Sequence, residues 1–449
     1  MIAALAAALT AAASDRARAR ALLREPLLLI LLALGALGAA SAAWTVGIDE
    51  DALRWGAATG GLAAVAFAAA VLVRGARDVR LAAALIALLA VAMGIVGLVA
   101  AATTDVPLAH RAAGRWRPAA VFQYSPALAL LVVCALAPLV AGMTRSRSRW
   151  ATLATGLGGS VAGATLVLAE SRTQLAFALV LAGALLVRGP RGPVGAALAL
   201  IGAAGLGAYA ALGGYTPVTP PPDESERLLA LGAVVLGAGG LWPAVRAALR
   251  RGLPVGALAA ALLLAGAAAV AVKPAPRLIA SGIAQEGAGP KPRSPGADRL
   301  DPVGDRLLHG RLEIWREAIE TFADRPLYGG GADSYFFASR RHQEGNSVFF
   351  AHQLPLELAA ELGIAGLLLA LGLYAATGRV LWRGRAGPEA WLVLPAAAAF
   401  PAANLVDWPW HLAGLGAVWA LSAGAIIAAG RNSKRPLGLS RACPDKEIA

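Results

Sequence analysis

The sequence predicts an all-α integral membrane protein of about twelve transmembrane helices. Three observations carry this. Of the 449 residues, 58% are hydrophobic and 15% charged, against roughly 25% charged in a soluble domain. Mean hydropathy is +0.64. The apolar residues fall into blocks of about 15–22 with almost no charge inside them, the length a helix needs to cross a bilayer. An ordinary soluble enzyme and a disordered chain are both excluded. Aromatics are 6% of the chain, so Ala, Leu, Val and Gly supply most helix contacts. Small residues let membrane helices approach closely.

In chain order, the first expected span, 26–44, follows Arg16, Arg18, Arg20 and Arg24. The second, 53–73, runs into Arg74, Arg77 and Arg80, from which 80–101 returns. Span 125–142 ends at Arg145, Arg147 and Arg149, and 151–169 leaves them. Spans 173–187 and 194–213 flank Arg188 and Arg191. Spans 229–245 and 253–272 flank Arg246, Arg250 and Arg251. Spans 356–377 and 388–405 flank Arg379, Arg383 and Arg385. The last, 411–430, meets Arg431, Lys434, Arg435, Arg441 and Lys446.

These basic connections alternate along the chain, hold 23 basic against six acidic residues, and carry a net +17. The other connections carry −4, which accounts for the overall +13. By the positive-inside rule the arginine-rich side is cytoplasmic, and both termini lie there. The basic balance is thus a topology signal, and no nucleic-acid partner is expected. The first thirteen residues are apolar but precede the arginines, the reverse of a signal peptide. They read as an interfacial segment or an overcalled start. Cys134 and Cys443 form no disulfide framework, and the sequence has no metal-type Cys/His spacing. Neither metal nor cofactor is expected.

The expected organisation is a nine-span bundle (1–272), a large outward loop (273–352), three further spans (353–430) and a cytoplasmic tail (431–449). Loops this long are usually functional. Lys273 to Pro302 is rich in Pro, Gly and Ser. Leu308, Leu312, Trp315, Ile319 and Phe322 then recur at helical spacing, predicting an amphipathic helix over about 307–324, apolar face inward, across the mouth of the bundle. Arg311 borders that stripe, where a guanidinium needs an anionic ligand or a neighbouring acid.

Further polar residues gather on the outer side. Glu170, Ser171 and Arg172 form the turn before a short span, so Arg172 is expected to be recessed in the bundle, where ionisable residues are functional candidates. An internal Glu170–Arg172 pair is the plainer alternative. His352 precedes Gln353-Leu354-Pro355 at an expected helix start. The partial positive charge of a helix N-terminus favours neutral imidazole, the form a general base needs. A structural histidine is the alternative, and His110, His309 and His342 also lie in outer segments. Asp407, beside Asn404, Trp408, Trp410 and His411, is placed to orient an imidazole or arginine, or to be a turn residue. Gly329–Gly331 is not a phosphate loop, because no strand precedes it and no Gly-Lys-Ser/Thr follows.

Gly310-Arg311 through Trp315, Pro326-Leu327-Tyr328-Gly329-Gly330-Gly331, Ala351-His352-Gln353 and Glu361-Leu362-Gly363-Ile364-Ala365-Gly366 together resemble the signature of the O-antigen ligase/polymerase family. Gln353 stands where that family usually has Asn. The resemblance implies a GT-C-type membrane glycosyltransferase of the bacterial cytoplasmic membrane. It implies a glycan donor on undecaprenyl pyrophosphate and an acceptor hydroxyl on a lipid core, protein or second glycan. By the same resemblance Arg172 and Arg311 hold the pyrophosphate and His352 is the base. Asp407, Glu170, Trp315 and Gln353 are supporting candidates. A polymerase of the family would share these residues. A polysaccharide or lipid transporter or flippase would instead concentrate ionisable residues at the bilayer midplane.

A Pro290→Cys label site in a cysteine-free background should react with membrane-impermeant maleimide in intact cells. Reaction that requires opening of the inner face would overturn the topology.

Overall fold

The structure is a computed structural model and describes residues 2–112, 115–212, 223–252, 310–343, 348–387 and 389–432. It is almost entirely helical. α1 (Ile2–Ser14) and α2 (Arg16–Leu22) precede α3 (Pro26–Ala40), α4 (Asp49–Leu72), α5 (Ala76–Thr103), α6 (Ser125–Arg145) and α7 (Arg149–Leu168). Then come α8 (Arg172–Arg188), α9 (Arg191–Leu212) and α10 (Glu224–Arg250). After the described chain resumes come α11 (Arg311–Asp324), the single turn α12 (Tyr335–Ala338), α13 (Leu354–Gly384), α14 (Leu394–Ala403) and α15 (Ala413–Asn432).

Among the described residues nine helices are long and apolar enough to span a membrane. Two expected spans are shorter helices. α8 has 17 residues and α14 has ten. Pro395 fixes where α14 begins, and Glu389 takes a left-handed conformation before it. The expected span 253–272 lies outside the described residues. The N-terminal segment is helical and packs on α4, with Ala11 fully buried. A feature not expected is the hairpin β1 (Ala109–Ala112) with β2 (Arg115–Pro118), antiparallel, pairing Ala109 with Pro118.

α6 is the centre of the bundle. It is apolar on all sides, and 89% of its spanning window is buried, the pattern of a helix surrounded by others. α5, α7 and α14 pack around it. Gly163 and Gly205 face each other, so the backbones of α7 and α9 meet where a Cβ would collide. The contacts sort into two ends. At one, Glu389 pairs with Arg145 (3.0 Å) and Arg80 (3.4 Å), and Arg431 lies 3.6 Å from Glu25. Arg246 of α10 donates to the Thr144 carbonyl at that end (3.1 Å). At the other, Trp44 donates to the Tyr328 carbonyl (3.0 Å) and Arg117 pairs with Glu170 (2.7 Å).

α11 packs on α13 through a face different from the expected one. Glu317, Ala318 and Thr321 are buried, while Ile319 is 54% exposed and Trp315 is half-buried. The small side chains permit close approach to α13, with Leu312 and Trp315 half-buried beside them and Ile319 exposed.

The turn after α11 is held to α13 through backbone. α13 is interrupted at Gly363, whose φ is 64° and ψ −155°. An interruption frees helix carbonyls and amides that a membrane does not satisfy. The turn satisfies them. Gly330 N–H donates to Ala360 O (3.0 Å), Gly331 N–H to Glu361 O (2.7 Å), and Ile364 N–H to Pro326 O (2.8 Å). A Cβ on Gly329 would strike the Glu361 backbone, and one on Gly363 would strike Leu327. Gly363→Ala should therefore destabilise the protein by roughly 2 kcal/mol or more, read as thermal unfolding in detergent. Gly378→Ala, on the same helix with open space around it, should be neutral or stabilising.

Candidate active site

The end of the bundle that carries Trp44 and Glu170 gathers residues from four distant stretches of chain. α13 begins at Leu354, and Gln353 is its N-cap, with Oε1 accepting from Leu356 N–H (3.0 Å). That is the side-chain oxygen an orphan helix donor needs, and it gives Gln353 a definite place. His352, just ahead of the cap, is left-handed with φ 52°. This conformation aims its ring away from the helix and toward the turn that carries Asp407.

Asp407 is the hub. It is 5% exposed. Its Oδ1 accepts from Trp408 N–H (3.0 Å) and lies 3.1 Å from His352 Nδ1. The Tyr124 hydroxyl reaches both carboxylate oxygens, at 3.0 and 2.9 Å. Arg311 Nη2, on the first residue of α11, stands 4.0 Å from Oδ1. Burial first, and then the Asp407 charge, push the Tyr124 hydroxyl far above its usual range, so it stays protonated and donates. A carboxylate with these partners takes the proton on His352 Nδ1 as a hydrogen bond. The imidazole then offers its Nε2 lone pair.

A second cluster lies beside the first. The Glu357 carboxylate accepts from Ala351 N–H (2.8 Å) with one oxygen and meets His411 Nε2 at 2.5 Å with the other. Asp333 is 3.5 Å from His411 Nδ1. Burial alone would lower the His411 pKa. The Glu357 and Asp333 carboxylates outweigh it and raise it to about 10, so His411 is an imidazolium at neutral pH. The Phe350 ring separates the clusters, 4.0 Å from His411 and 4.9 Å from Trp408. Tyr335 ties the outer helices, donating from N–H to Glu361 (2.9 Å) and from OH to Ile314 O (3.2 Å).

The structure thus brings Arg311, His352 and Asp407 together, with Gln353 as cap and Trp315 on the same helix as Arg311. Arg172 differs from expectation. It opens α8 with an exposed side chain and is not recessed. α8 buries a narrow stripe of Gln174, Ala178 and Leu185, and Arg172 lies off that stripe. Glu170, left-handed at φ 51°, pairs with Arg117 of β2. His342 is engaged by Asp324 (2.6 Å), and His309 lies outside the described residues. The reading from sequence missed Tyr124, Glu357, Asp333 and the pairing of His411. Glu357 carried a usable signal, being a carboxylate in the first turn of an apolar span.

Residues 227–371 match the family model described as O-antigen ligase. Over that stretch the chain is similar to the O-antigen ligase family. Arg311 and His352 fall inside the match, whereas Arg172, Tyr124 and Asp407 lie outside it. No curated protein matches the chain. The apolar helices among the described residues, with this similarity, indicate a multi-pass membrane protein.

The His411 proton sets a pH dependence. Its pKa in the fold lies above the ordinary 6.5, so the stabilisation is complete below about 6.5 and is lost as pH rises to about 10. Thermal unfolding in detergent should show the melting temperature falling across that window. Glu357→Gln should flatten the dependence. It should also cost on the order of 3–5 kcal/mol by leaving a buried charge without its partner.

Proposed function

We propose that this protein transfers a glycan from undecaprenyl pyrophosphate to an acceptor hydroxyl at the outer face of the bacterial cytoplasmic membrane. What supports the reading is the Arg311–Asp407–His352 arrangement at one end of the bundle, two of its members inside the O-antigen ligase match. His352 Nε2 takes the proton of the acceptor hydroxyl as its oxygen attacks the anomeric carbon. The bond from that carbon to the pyrophosphate oxygen breaks, and undecaprenyl pyrophosphate leaves with the bond electrons. Asp407 stabilises the imidazolium that forms and keeps the ring oriented.

The leaving group carries its charge away, so the protein's largest contribution is cationic. Guanidinium groups stay charged and contact phosphate oxygens in pairs. Arg311 and Arg172 take that role. The N-terminus of α8, where Arg172 is the first helical residue, adds its dipole and first-turn backbone N–H groups. With charge handled this way, the chemistry calls for no metal.

The test uses purified protein with lipid-linked donor and acceptor in EDTA-containing buffer. His352→Ala should lower turnover by about 10²–10⁴-fold while donor still binds. Arg311→Lys should restore less than the full activity lost in Arg311→Ala, because paired contact is gone. Turnover of His352→Ala within about tenfold of the unaltered protein would remove the base assignment.

A further inference from the structure

A cavity of about 200 Å³ opens between α4 and the start of α15, next to the His411 cluster. Its walls include Arg54, Trp55, Thr59, Asp333, Trp410 and His411. Pockets for drug-sized ligands run to roughly 300–1,000 Å³, so this space suits one ring and not an extended oligomer.

The lining has a definite chemistry. Trp55 and Trp410 are both buried, with ring centroids 6.4 Å apart and planes inclined at 41°. They give the cavity two aromatic surfaces. The Trp55 indole N–H is buried and has no partner in the protein. Buried donors are ordinarily paired, so an unpaired one in the cavity wall is an anomaly that a ligand acceptor would relieve. Asp333 is held left-handed at φ 56°, and its side chain is 34% exposed. Its carboxylate approaches His411 through one oxygen and keeps acceptor capacity for a ligand. Indole faces for C–H groups, beside a carboxylate and an N–H for hydroxyls, are what a pyranose ring requires.

Charge narrows the class. Arg54 at the rim pairs with Glu50 (3.0 Å) and Asp51 (3.2 Å), and His411 is matched by Glu357 and Asp333. Four carboxylates surround two cations, which disfavours an acidic sugar. Position narrows the role. Phe350 packs between His411 and Trp408, and Trp408 adjoins Asp407. Phe350 and Trp408 lie between His411 in the cavity wall and Asp407, the partner of the proposed base.

We infer that this cavity is a glycan subsite, holding one neutral pyranose unit of a substrate whose neighbouring unit reacts at His352. The inference rests on the glycosyl-transfer reading above and adds to it a place and a sugar class. Binding can be read without turnover. Saturation-transfer NMR on the intact protein in nanodiscs, with methyl glucoside, methyl N-acetylglucosaminide and methyl glucuronide as probes, makes the measurement. At least one neutral sugar should bind, and the glucuronide should bind several-fold more weakly. Trp55→Phe keeps an aromatic wall and deletes the N–H, and Asp333→Asn deletes the charge. Each should weaken binding by about tenfold, the worth of one buried hydrogen bond. Binding of no neutral sugar, equal binding of the glucuronide, or indifference to both variants would overturn the subsite. Failure of His352→Ala to reduce turnover touches the transfer reading and leaves this measurement standing. In the transfer assay, Trp55→Phe should raise KM for one substrate. A rise for the acceptor places the acceptor's sugar here, and a rise for the donor places the donor's. An unchanged KM for both would also overturn the proposal.

Discussion

The backbone clasp between the 326–331 turn and the interruption of α13 at Gly363 is the constraint on which the Arg311–His352–Asp407 end of the bundle depends. Lipid does not hydrogen-bond to peptide groups, so a helix broken near its outer end must find substitutes. Here the substitutes come from a chain segment more than thirty residues earlier, and each partner needs the other. The turn has no sheet or helix of its own to supply bonds, and α13 cannot bend without it. The clasp fixes α11 against α13 and so places Arg311 relative to the residues at the α13 N-terminus. The same turn reaches back to the first span, where Val46 N–H donates to Gly330 O (2.8 Å).

The second support comes from the middle of the bundle. Tyr124 stands one residue before α6, the most enclosed helix, and its hydroxyl straddles Asp407. A carboxylate on a turn would otherwise be free to rotate. Anchoring it to the rigid centre gives His352 a fixed neighbour. The imidazole in turn is held by a left-handed backbone, a conformation that His and Asp tolerate better than most residues. Arg311 comes from the helix within the long 273–352 segment and Asp407 from the turn before the last span, so side chains distant in sequence meet at one end of the bundle.

The spans were legible because bilayer length and charge asymmetry are properties of composition, readable block by block. The place of His352 was legible because Pro355 and the apolar run after it mark a helix start. The orientation of α11 was not. Helical spacing in Leu312, Trp315 and Ile319 shows that an apolar face exists, and not which face meets a neighbour. Ala318 and Thr321 decided that by their small size. Arg172 was expected to be recessed from the short span that follows it, but span length says nothing about how far a helix sits from the bundle axis. The Tyr124–Asp407 bond joins residues 283 apart. No local pattern carries such a pairing, and a single sequence gives no other way to see it.

That separation has a consequence for how the protein is made. A chain threaded into the membrane from its N-terminus places Tyr124 early, at the head of its fourth expected span. Asp407 and His411 emerge only with the turn before the last span. Until then Arg311 has no carboxylate to face, and the 326–331 turn has waited for α13. The chemistry is therefore assembled at the end of synthesis. A ribosome that stops short of the last turn leaves a largely inserted bundle that carries Arg311 and His352 and lacks the carboxylate that organises them. Membrane quality control would meet such a product as unpaired polar residues at one end of the bundle, with the bulk of the helices already in place.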